Sequence, residues 1–559
     1  MSTIRIVPSM PFPGWDAFRG NLAALDPFRV LAYLLGVSQS EVKATGAFQG
    51  NPLHNPMNHG PFCRILLRQI LDQPSSISAT VKALSAKELE RVSTALAELN
   101  GLIEEEGNRD HDPSLAAHSV ELTSQIARDG WRRHLATAGR SRVMKCEVAR
   151  IWLLLREYWP RARARAGKKD KVIPNLHDPL VSAFDSMEYV LALYVSMHCS
   201  EFAFVVEPER YFKQTDLADK LRQAFELYVP QASEVVGTWA EIEAQTPFPH
   251  RNPFRQEPLL RIDDRVLLSP DPGILFSGIE GRLIKRAVRA ASATTAIKAD
   301  SLLEGANTLL GKMYEDYVRD LLDDLAKDTG ETYLPEFALS NRNDSPDAIL
   351  RNGPSILFFE CKARGLPTIV QQPAPLDDLL SQISVLAGIR DDKPPFAQLS
   401  RFFDAWRGGD EEACSQLGRF EAGKRRCLVV SPDNLPNVTY WRLFRDQMVA
   451  TTLDKSGKEA ERLVEFVSIY DLEILCAALR LTNNKPRTLS AFELVERWRT
   501  CNRRESSFFL NKKADKVKLS LGDYLLTNHP GINDVSLTRS KIALDEVFKS
   551  AGATLFQGR

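Results

Sequence analysis

One stretch, from Gly311 to Arg364, constrains the fold of this chain most. It begins with GKMYEDYVRDLL, in which apolar residues recur at helical spacing, and it includes SPDAILRNGPSILFFECKA. In the second part, two short apolar runs flank the turn residues Asn352-Gly353-Pro354, and such runs are typical of buried strands. The pattern predicts a helix that carries Glu315, followed by two strands.

The two predicted strands suit a hairpin. Their interiors are Ala348 to Leu350 and Ile356 to Phe359, and the four residues from Arg351 to Pro354 have a length that is common in hairpin connections. Pairing the strands would place Asp347, where the first strand begins, close to Glu360, where the second one ends.

The end of the second predicted strand adds a lysine to these carboxylates. Because side chains alternate along a strand, Glu360 and Lys362 share a face, and Cys361 points the other way. Two carboxylates and an ammonium group therefore converge at one edge of the sheet. Carboxylates this close repel unless a cation or a proton lies between them, and a divalent metal ion meets that need.

The motif Pro346-Asp347, followed by Glu360-Cys361-Lys362, resembles the signature of the PD-(D/E)XK nuclease superfamily. Glu315 is similar to the acidic residue that many members carry on the helix before the core sheet. The resemblance implies that both motif carboxylates, the carbonyl of Cys361 and Glu315 bind Mg²⁺ or Mn²⁺. It also implies that Lys362 orients the attacking water in metal-assisted phosphodiester hydrolysis.

The residues after the motif fit the restriction-endonuclease-like α/β/α core that this resemblance implies. Residues 426–431 and 463–469 predict two further strands, residues 437–453 a helix between them, and residues 471–481 a helix with Asp471 as its N-cap. Gln382, on a predicted helix over residues 375–388, lies where some members of the superfamily place a polar residue that faces nucleic acid.

The remainder of the chain is organised around this core. Apolar spacing predicts several helices in the first part, and a hairpin of residues 258–262 and 265–269 with a helix over 279–291 follows it. The fold class is therefore α/β with a large, mostly α-helical N-terminal domain. The predicted units are a recognition or sensor domain over 1–246, a hairpin-and-helix linker over 247–300, the nuclease core over 301–482 and a C-terminal extension over 483–559.

A basic stretch from Arg128 to Lys171 is the main candidate for nucleic-acid contact. It contains fourteen Lys and Arg residues against four acidic residues. Tyr158 and Trp159 within it are candidates to stack on bases, with nearby cations on phosphates. A solvated basic surface is the alternative interpretation. The cations assigned to phosphate contact are Arg161, Arg163, Arg165, Lys168 and Lys169.

Composition narrows the class of protein further. The net charge is zero, the eight cysteines form no CxxC pair, and no apolar run is long enough to span a membrane. These features predict a cytoplasmic protein without a membrane partner.

The predicted function is a Mg²⁺- or Mn²⁺-dependent endonuclease that acts on nucleic acid, with DNA favoured, in bacterial defence against phage. The architecture resembles that of bacterial defence effectors, in which a recognition lobe precedes a nuclease core. Two alternatives stay open: the same core acting as a ribonuclease on RNA or tRNA, and a catalytically inactive binding or scaffold protein. A protein or phage-derived trigger and assembly into a homo-oligomer are also left open.

Overall fold

In the computed structural model, the longer described segments of the chain are 10–27, 83–109, 149–165, 218–231, 259–262, 265–268, 279–294, 298–340, 345–361, 395–420, 424–432, 464–483, 489–504 and 520–529. The shorter described pieces are 29–31, 33–34, 66, 69, 181–182, 184–187, 191, 205–206 and 531–532.

The described residues form helices throughout and strands mainly after residue 258. The helices are α1 (Trp15–Ala23), α2 (Ala86–Arg109), a π-helical turn (Leu154–Tyr158), α3 (Trp159–Arg165), α4 (Ala218–Tyr228), α5 (Ile279–Thr294), α6 (Ala299–Thr329), α7 (Pro395–Arg407), α8 (Glu411–Leu417), α9 (Ile469–Asn483), α10 (Ala491–Arg504) and α11 (Leu521–Asn528). The strands are β1 (Val205–Val206), β2 (Leu259–Ile262), β3 (Arg265–Leu268), β4 (Thr332–Pro335), β5 (Ala348–Asn352), β6 (Ser355–Cys361), β7 (Lys424–Ser431) and β8 (Val464–Ser468).

Five of the strands form one mixed sheet in the order β4-β5-β6-β7-β8. β4, β5 and β6 are antiparallel neighbours, whereas β6, β7 and β8 run parallel. A smaller antiparallel sheet has the order β1-β3-β2 and contains the predicted hairpin of β2 and β3. The chain thus combines a helical part with a mixed sheet packed against helices, in agreement with the predicted α/β class.

Helices cover both faces of the larger sheet. Leu357 and Phe359 of β6 belong to a core that includes side chains of α6 and α9. Ile356 and Phe358, which alternate with them, belong to a second core that includes side chains of α7 and α8. Both faces of β6 are therefore buried, which explains why the interior of its sequence is an uninterrupted apolar run.

The predicted hairpin of β5 and β6 is confirmed, but its connection is shorter than expected. Asn352 pairs with Ser355, which leaves Gly353 and Pro354 as a two-residue loop. Gly353 has a φ of 57°, a value that glycine reaches without strain, and proline fixes a negative φ at the next position. That combination suits the type II′ turns that match the twist of hairpins.

Three elements between residues 330 and 420 were not predicted: β4, α7 and α8. The strand β4 follows Gly330, which ends α6 in the left-handed conformation with a φ of 72°. The predicted helices over 375–388 and 437–453 lie outside the described residues.

The prediction that Asp471 is the N-cap of its helix is wrong, because α9 begins two residues earlier. Ser468 Oγ accepts the N–H of Asp471 at 3.0 Å, and Asp471 Oδ2 accepts the N–H of Ser468 at 2.9 Å. This reciprocal pair is a capping box with Ser468 as the cap. Asp471 Oδ1 also accepts the N–H of Gly522 at 2.7 Å, which fastens the start of α11 to the start of α9.

The segment 149–165 packs against α6 in one apolar core. Its π-helical turn ends two residues before Pro160, which has no N–H to donate and whose ring would crowd a regular turn. The hydroxyl of Tyr158 donates to Asp320 Oδ2 at 3.0 Å, and its ring meets Tyr317 edge-on at a centroid distance of 5.7 Å.

A buried polar contact reinforces this junction. Glu473 Oε1 on α9 accepts the hydroxyl of Tyr317 at 2.6 Å and lies 3.4 Å from Arg150 Nη1. Burial raises the pKa of Glu473, and the charge of Arg150 opposes that change. Three segments that are distant in sequence therefore meet at one carboxylate.

No helix in the described part of the chain has both the length and the apolar character needed to cross a membrane.

The close approach of α11 to α9 gives a test of the packing. A methyl group at Gly522 would lie 2.8 Å from Asp471 Oδ1 and 3.5 Å from its Cα. We therefore expect Gly522→Ala to lower the midpoint of thermal unfolding, since overpacking costs about 1–3 kcal/mol. Gly20→Ala is the control, because no heavy atom within 4 Å would meet its methyl group. Equal midpoints for Gly522→Ala and the wild type would contradict this packing.

The carboxylate of Glu496 gives a pH-dependent test. Burial would raise its pKa, but Arg426 and Arg499, at 2.6 and 2.9 Å, outweigh burial and lower it below 4.5. A lowered pKa in the folded state stabilises the protein above pH 4.5, and this stabilisation is lost as the pH falls through the folded-state value.

We expect Glu496→Gln to lower the thermal midpoint at pH 7, because it removes two ion pairs and partly exposed pairs contribute about 0.2–1 kcal/mol each. The difference from wild type should shrink as the pH falls from 4.5 through the lower folded-state pKa, where the wild-type carboxylate becomes protonated as well. Thermal scans at pH 7 and at lower pH measure both effects. A difference that does not change with pH would exclude the ion pairs as its cause. Glu412→Gln, which removes a carboxylate bonded to Gln416, is the control.

Candidate metal centre

Three carboxylates meet where α6 passes the start of β5. One oxygen atom from each of Glu315, Glu336 and Asp347 lies within 4.8 Å of the others. Glu315 is in the middle of α6, Glu336 follows the last residue of β4, and Asp347 precedes the first residue of β5. A helix and two neighbouring strands therefore each contribute one acidic side chain.

The register of the sheet explains this arrangement and extends it to a fourth carboxylate. The last residue of β4 pairs with the first residue of β5, which in turn pairs with Phe359 of β6. Continuing that register by one residue places Glu336 opposite Asp347, and Asp347 opposite Glu360. The hairpin was predicted to bring Asp347 and Glu360 together in this way. Glu360 is only 2% exposed.

Hydrogen bonds fix the position of Asp347. Its Oδ2 accepts the N–H of Cys361 at 2.6 Å, which joins the start of β5 to the end of β6. Its main-chain oxygen accepts Nε of Arg319 at 3.3 Å. The carboxylate is thus held at the sheet edge by one neighbouring strand and by α6.

Two cationic side chains of α6 lie among these carboxylates. Nη2 of Arg319 is 2.5 Å from Glu315 Oε1 and 2.6 Å from Glu336 Oε2. Nζ of Lys312 is 2.7 Å from the other oxygen of Glu315. Burial lowers the pKa of Lys312, but the hydrogen bond and charge of Glu315 outweigh burial and raise it. Lys312 therefore carries a positive charge beside Glu315 at neutral pH.

The thiol of Cys361 is not a nucleophile in this setting. Burial raises its pKa well above the ordinary value, and the nearby charges of Asp347, Glu360 and Glu315 raise it further. Cys361 packs against the same core as Phe359, so the predicted alternation of side chains along β6 is confirmed at this position. The thiol therefore stays protonated at neutral pH.

The predicted nucleic-acid residues that are described make contacts within the chain. Arg161 Nη1 is 2.6 Å from Asp320 Oδ2, and Arg163 Nη1 is 3.1 Å from Asp185 Oδ2. Both arginine side chains are about half exposed, 46% and 52%. Contact of these arginines with nucleic acid stays a prediction.

The two aromatic residues that were predicted to stack on bases do not have the exposure that this role requires. Tyr158 is fully buried and Trp159 is 4% exposed, so neither ring is available to stack on a base. Trp159 instead stacks on Phe184. The remaining predicted positions lie outside the described residues: the side chain of Arg165, and Lys168, Lys169, Lys362 and Gln382.

Sequence reasoning missed three residues of this cluster: Glu336, Arg319 and Lys312. The spacing of Lys312, Glu315 and Arg319 was a usable signal, because residues three and four apart on a helix are neighbours. Glu336 had no comparable signal, since its position depends on β4, which was not predicted.

The donor set suits a hard divalent cation. Glu315, Glu336 and Asp347 offer carboxylate oxygens alone, and such ligands favour Mg²⁺, Mn²⁺ or Ca²⁺ over zinc. Among the described residues, the three carboxylates of the cluster face two cationic side chains, which leaves a formal excess of one negative charge. A divalent cation would offset that excess.

In comparisons with known proteins, no family model, no curated protein and no solved structure matches the chain.

A cation bound by the folded protein alone must stabilise it. We expect Mg²⁺ or Mn²⁺ to raise the thermal midpoint of the wild type, because binding at ten times the dissociation constant contributes about 1.4 kcal/mol. Differential scanning fluorimetry with and without each metal measures the shift. The shift should disappear in Glu336→Gln and persist in Asp323→Asn, which changes an exposed carboxylate of the same helix outside the cluster. Equal shifts in the two variants would exclude this site.

Proposed function

We propose that this chain is a metal-dependent endonuclease that hydrolyses phosphodiester bonds of nucleic acid, with DNA as the favoured substrate. The observation that carries the proposal is the convergence of oxygen atoms from Glu315, Glu336 and Asp347 within 4.8 Å. Glu360, the next carboxylate in the sheet register, belongs to the motif that resembles the PD-(D/E)XK signature.

The order of elements around these carboxylates supports the proposal. A long helix, α6, is followed by three antiparallel strands, and β7 then pairs in parallel with the third strand. Helices pack on both faces of the sheet. A restriction-endonuclease-like core, as the resemblance implies, would have this order, and it would place the carboxylates where β5 begins and β6 ends.

Each residue of the proposed site has a distinct task. Glu315, Glu336 and Asp347 would hold Mg²⁺ or Mn²⁺, with Glu360 and the carbonyl of Cys361 beside them. The metal, when bound, would polarise a phosphate oxygen and favour ionisation of a coordinated water. The hydrogen bond from Cys361 N–H would keep the carboxylate of Asp347 oriented throughout the reaction.

The cationic side chains would act on the phosphate. Lys312 stays protonated and its side chain is 34% exposed, so it can contact a phosphate oxygen while it remains paired with Glu315. By the resemblance, Lys362 would orient the attacking water and offset charge that develops on the phosphate. A role in defence against phage stays a prediction from the resemblance in architecture.

Cleavage assays test the proposal directly. Plasmid DNA, single-stranded DNA, total RNA and tRNA would each be incubated with wild-type protein in Mg²⁺, Mn²⁺ or EDTA. We expect cleavage with either metal and none in EDTA. The rate should fall at least about 100-fold in Asp347→Ala and Lys362→Ala, since each removes part of the catalytic group.

Asp323→Ala is the matched control for Asp347→Ala, because it removes an aspartate whose partner is Lys327 on the exposed side of α6. Its rate should equal that of the wild type. Cleavage of DNA but not RNA would support the favoured substrate, and the reverse would make the chain a ribonuclease. Metal-dependent cleavage that survives in Asp347→Ala would exclude the proposed site.

A further inference from the structure

Arg319 lies among the candidate metal ligands. Its Nη2 is 2.5 Å from Glu315 Oε1 and 2.6 Å from Glu336 Oε2, and its Nε donates to the main-chain oxygen of Asp347 at 3.3 Å. One guanidinium group therefore contacts all three residues whose oxygens form the cluster. Lys312 differs, since its ammonium group pairs with Glu315.

A guanidinium group and a divalent cation would compete here for the same two carboxylates, those of Glu315 and Glu336. Magnesium binds carboxylate oxygens at about 2.0–2.1 Å and tolerates little distortion of its octahedral ligand set. To take up such an ion, the two carboxylates would have to loosen their ion pairs with Arg319. The two positive groups would also repel each other at this distance.

The position of Arg319 also gives it a route to substrate. Its side chain is 25% exposed, so part of the group faces solvent at the edge of the cluster. The planar fork of arginine matches a phosphate as well as it matches a carboxylate. A guanidinium group released from Glu315 and Glu336 could thus bind a phosphate of the nucleic-acid backbone.

We propose that Arg319 is the internal counter-ion of this site. It holds Glu315 and Glu336 together in the absence of metal, competes with the divalent cation for them, and then contacts a phosphate of the nucleic acid. The last step rests on the proposed function, whereas the competition with metal is a property of the cluster itself.

Manganese titrations by calorimetry test the competition without any substrate. We expect Arg319→Met to bind Mn²⁺ about tenfold or more tightly than the wild type, because a like charge beside the ion is removed. Arg319→Lys should lie between them, since an ammonium group keeps the charge but lacks the planar fork. Lys327→Met, which removes a paired cation of the same helix outside the cluster, should match the wild type.

The phosphate contact has its own readout. Binding of a labelled DNA duplex, measured in Ca²⁺, should be weaker for Arg319→Met than for the wild type. The slope of log affinity against log salt concentration should fall by about 0.9 for the lost phosphate contact. An unchanged affinity and slope would overturn this step and leave the competition with metal to be judged by the titrations.

Unchanged or weaker Mn²⁺ affinity in Arg319→Met, or no Mn²⁺ binding by any of the proteins, would overturn the competition. If circular dichroism shows that Arg319→Met does not fold, the Mn²⁺ affinity of Arg319→Lys becomes the test. An affinity of Arg319→Lys equal to that of the wild type would then overturn the competition. Tighter Mn²⁺ binding in the variants without cleavage by the wild type would support the competition and count against the proposed nuclease. Cleavage by the wild type with unchanged Mn²⁺ affinity in both variants would support the nuclease and overturn the competition.

Discussion

The burial of α6 is the interaction on which the rest of the structure depends. Its 31 residues bury apolar side chains along the whole length of the helix, in a core shared with β5, β6, β7 and α9. Apolar burial of this extent is the largest favourable term available to a fold. The same helix presents Glu315 and Arg319 to the sheet edge, and Tyr317 and Asp320 to the segment 149–165. Its position therefore fixes both the candidate metal centre and the junction with the N-terminal part.

Bringing these carboxylates together lowers the stability of the folded state. Several neighbouring groups offset part of that loss. A buried carboxylate such as Glu360 loses hydration, and neighbouring carboxylates add repulsion. Two cations of α6 and the main-chain N–H of Cys361 offset part of that cost. Side chains gathered against such repulsion are typical of functional sites, which is why the cluster, rather than any larger feature, supports the proposed function.

Those parts of the fold that depend on local chemistry were predictable from the sequence. The β5–β6 hairpin followed from two apolar runs and a Gly-Pro turn, and its register placed Asp347 opposite Glu360. The strand β4 was not predictable in this way, because its four residues are at most partly buried and end in Pro335. Proline is tolerated there since β4 is an edge strand. The pairing of β4 with β5 could not be recognised from the four residues of β4 themselves. Glu336 was missed with it.

The charge of the basic stretch could be recognised from the sequence, but the residues that its arginines pair with could not. Arg161 and Arg163 pair with aspartates that are distant in sequence, and the aromatic residues beside them pack inside the protein. A local count of charges cannot identify such partners. Asp471 was misjudged for a related reason, because a reciprocal capping pair can be assigned only when the start of the helix is known.

The mixed character of the large sheet has a consequence for how the chain folds. β4, β5 and β6 are consecutive antiparallel strands, so their contacts are short-range and can form while the chain is still being synthesised. β7 and β8 join in parallel, and each requires a long crossover to close first. Glu336, Asp347 and Glu360 would then be adjacent in the nascent meander before the parallel half of the sheet exists. The parallel strands would then pair with the free edge of β6 and complete the sheet beside these residues.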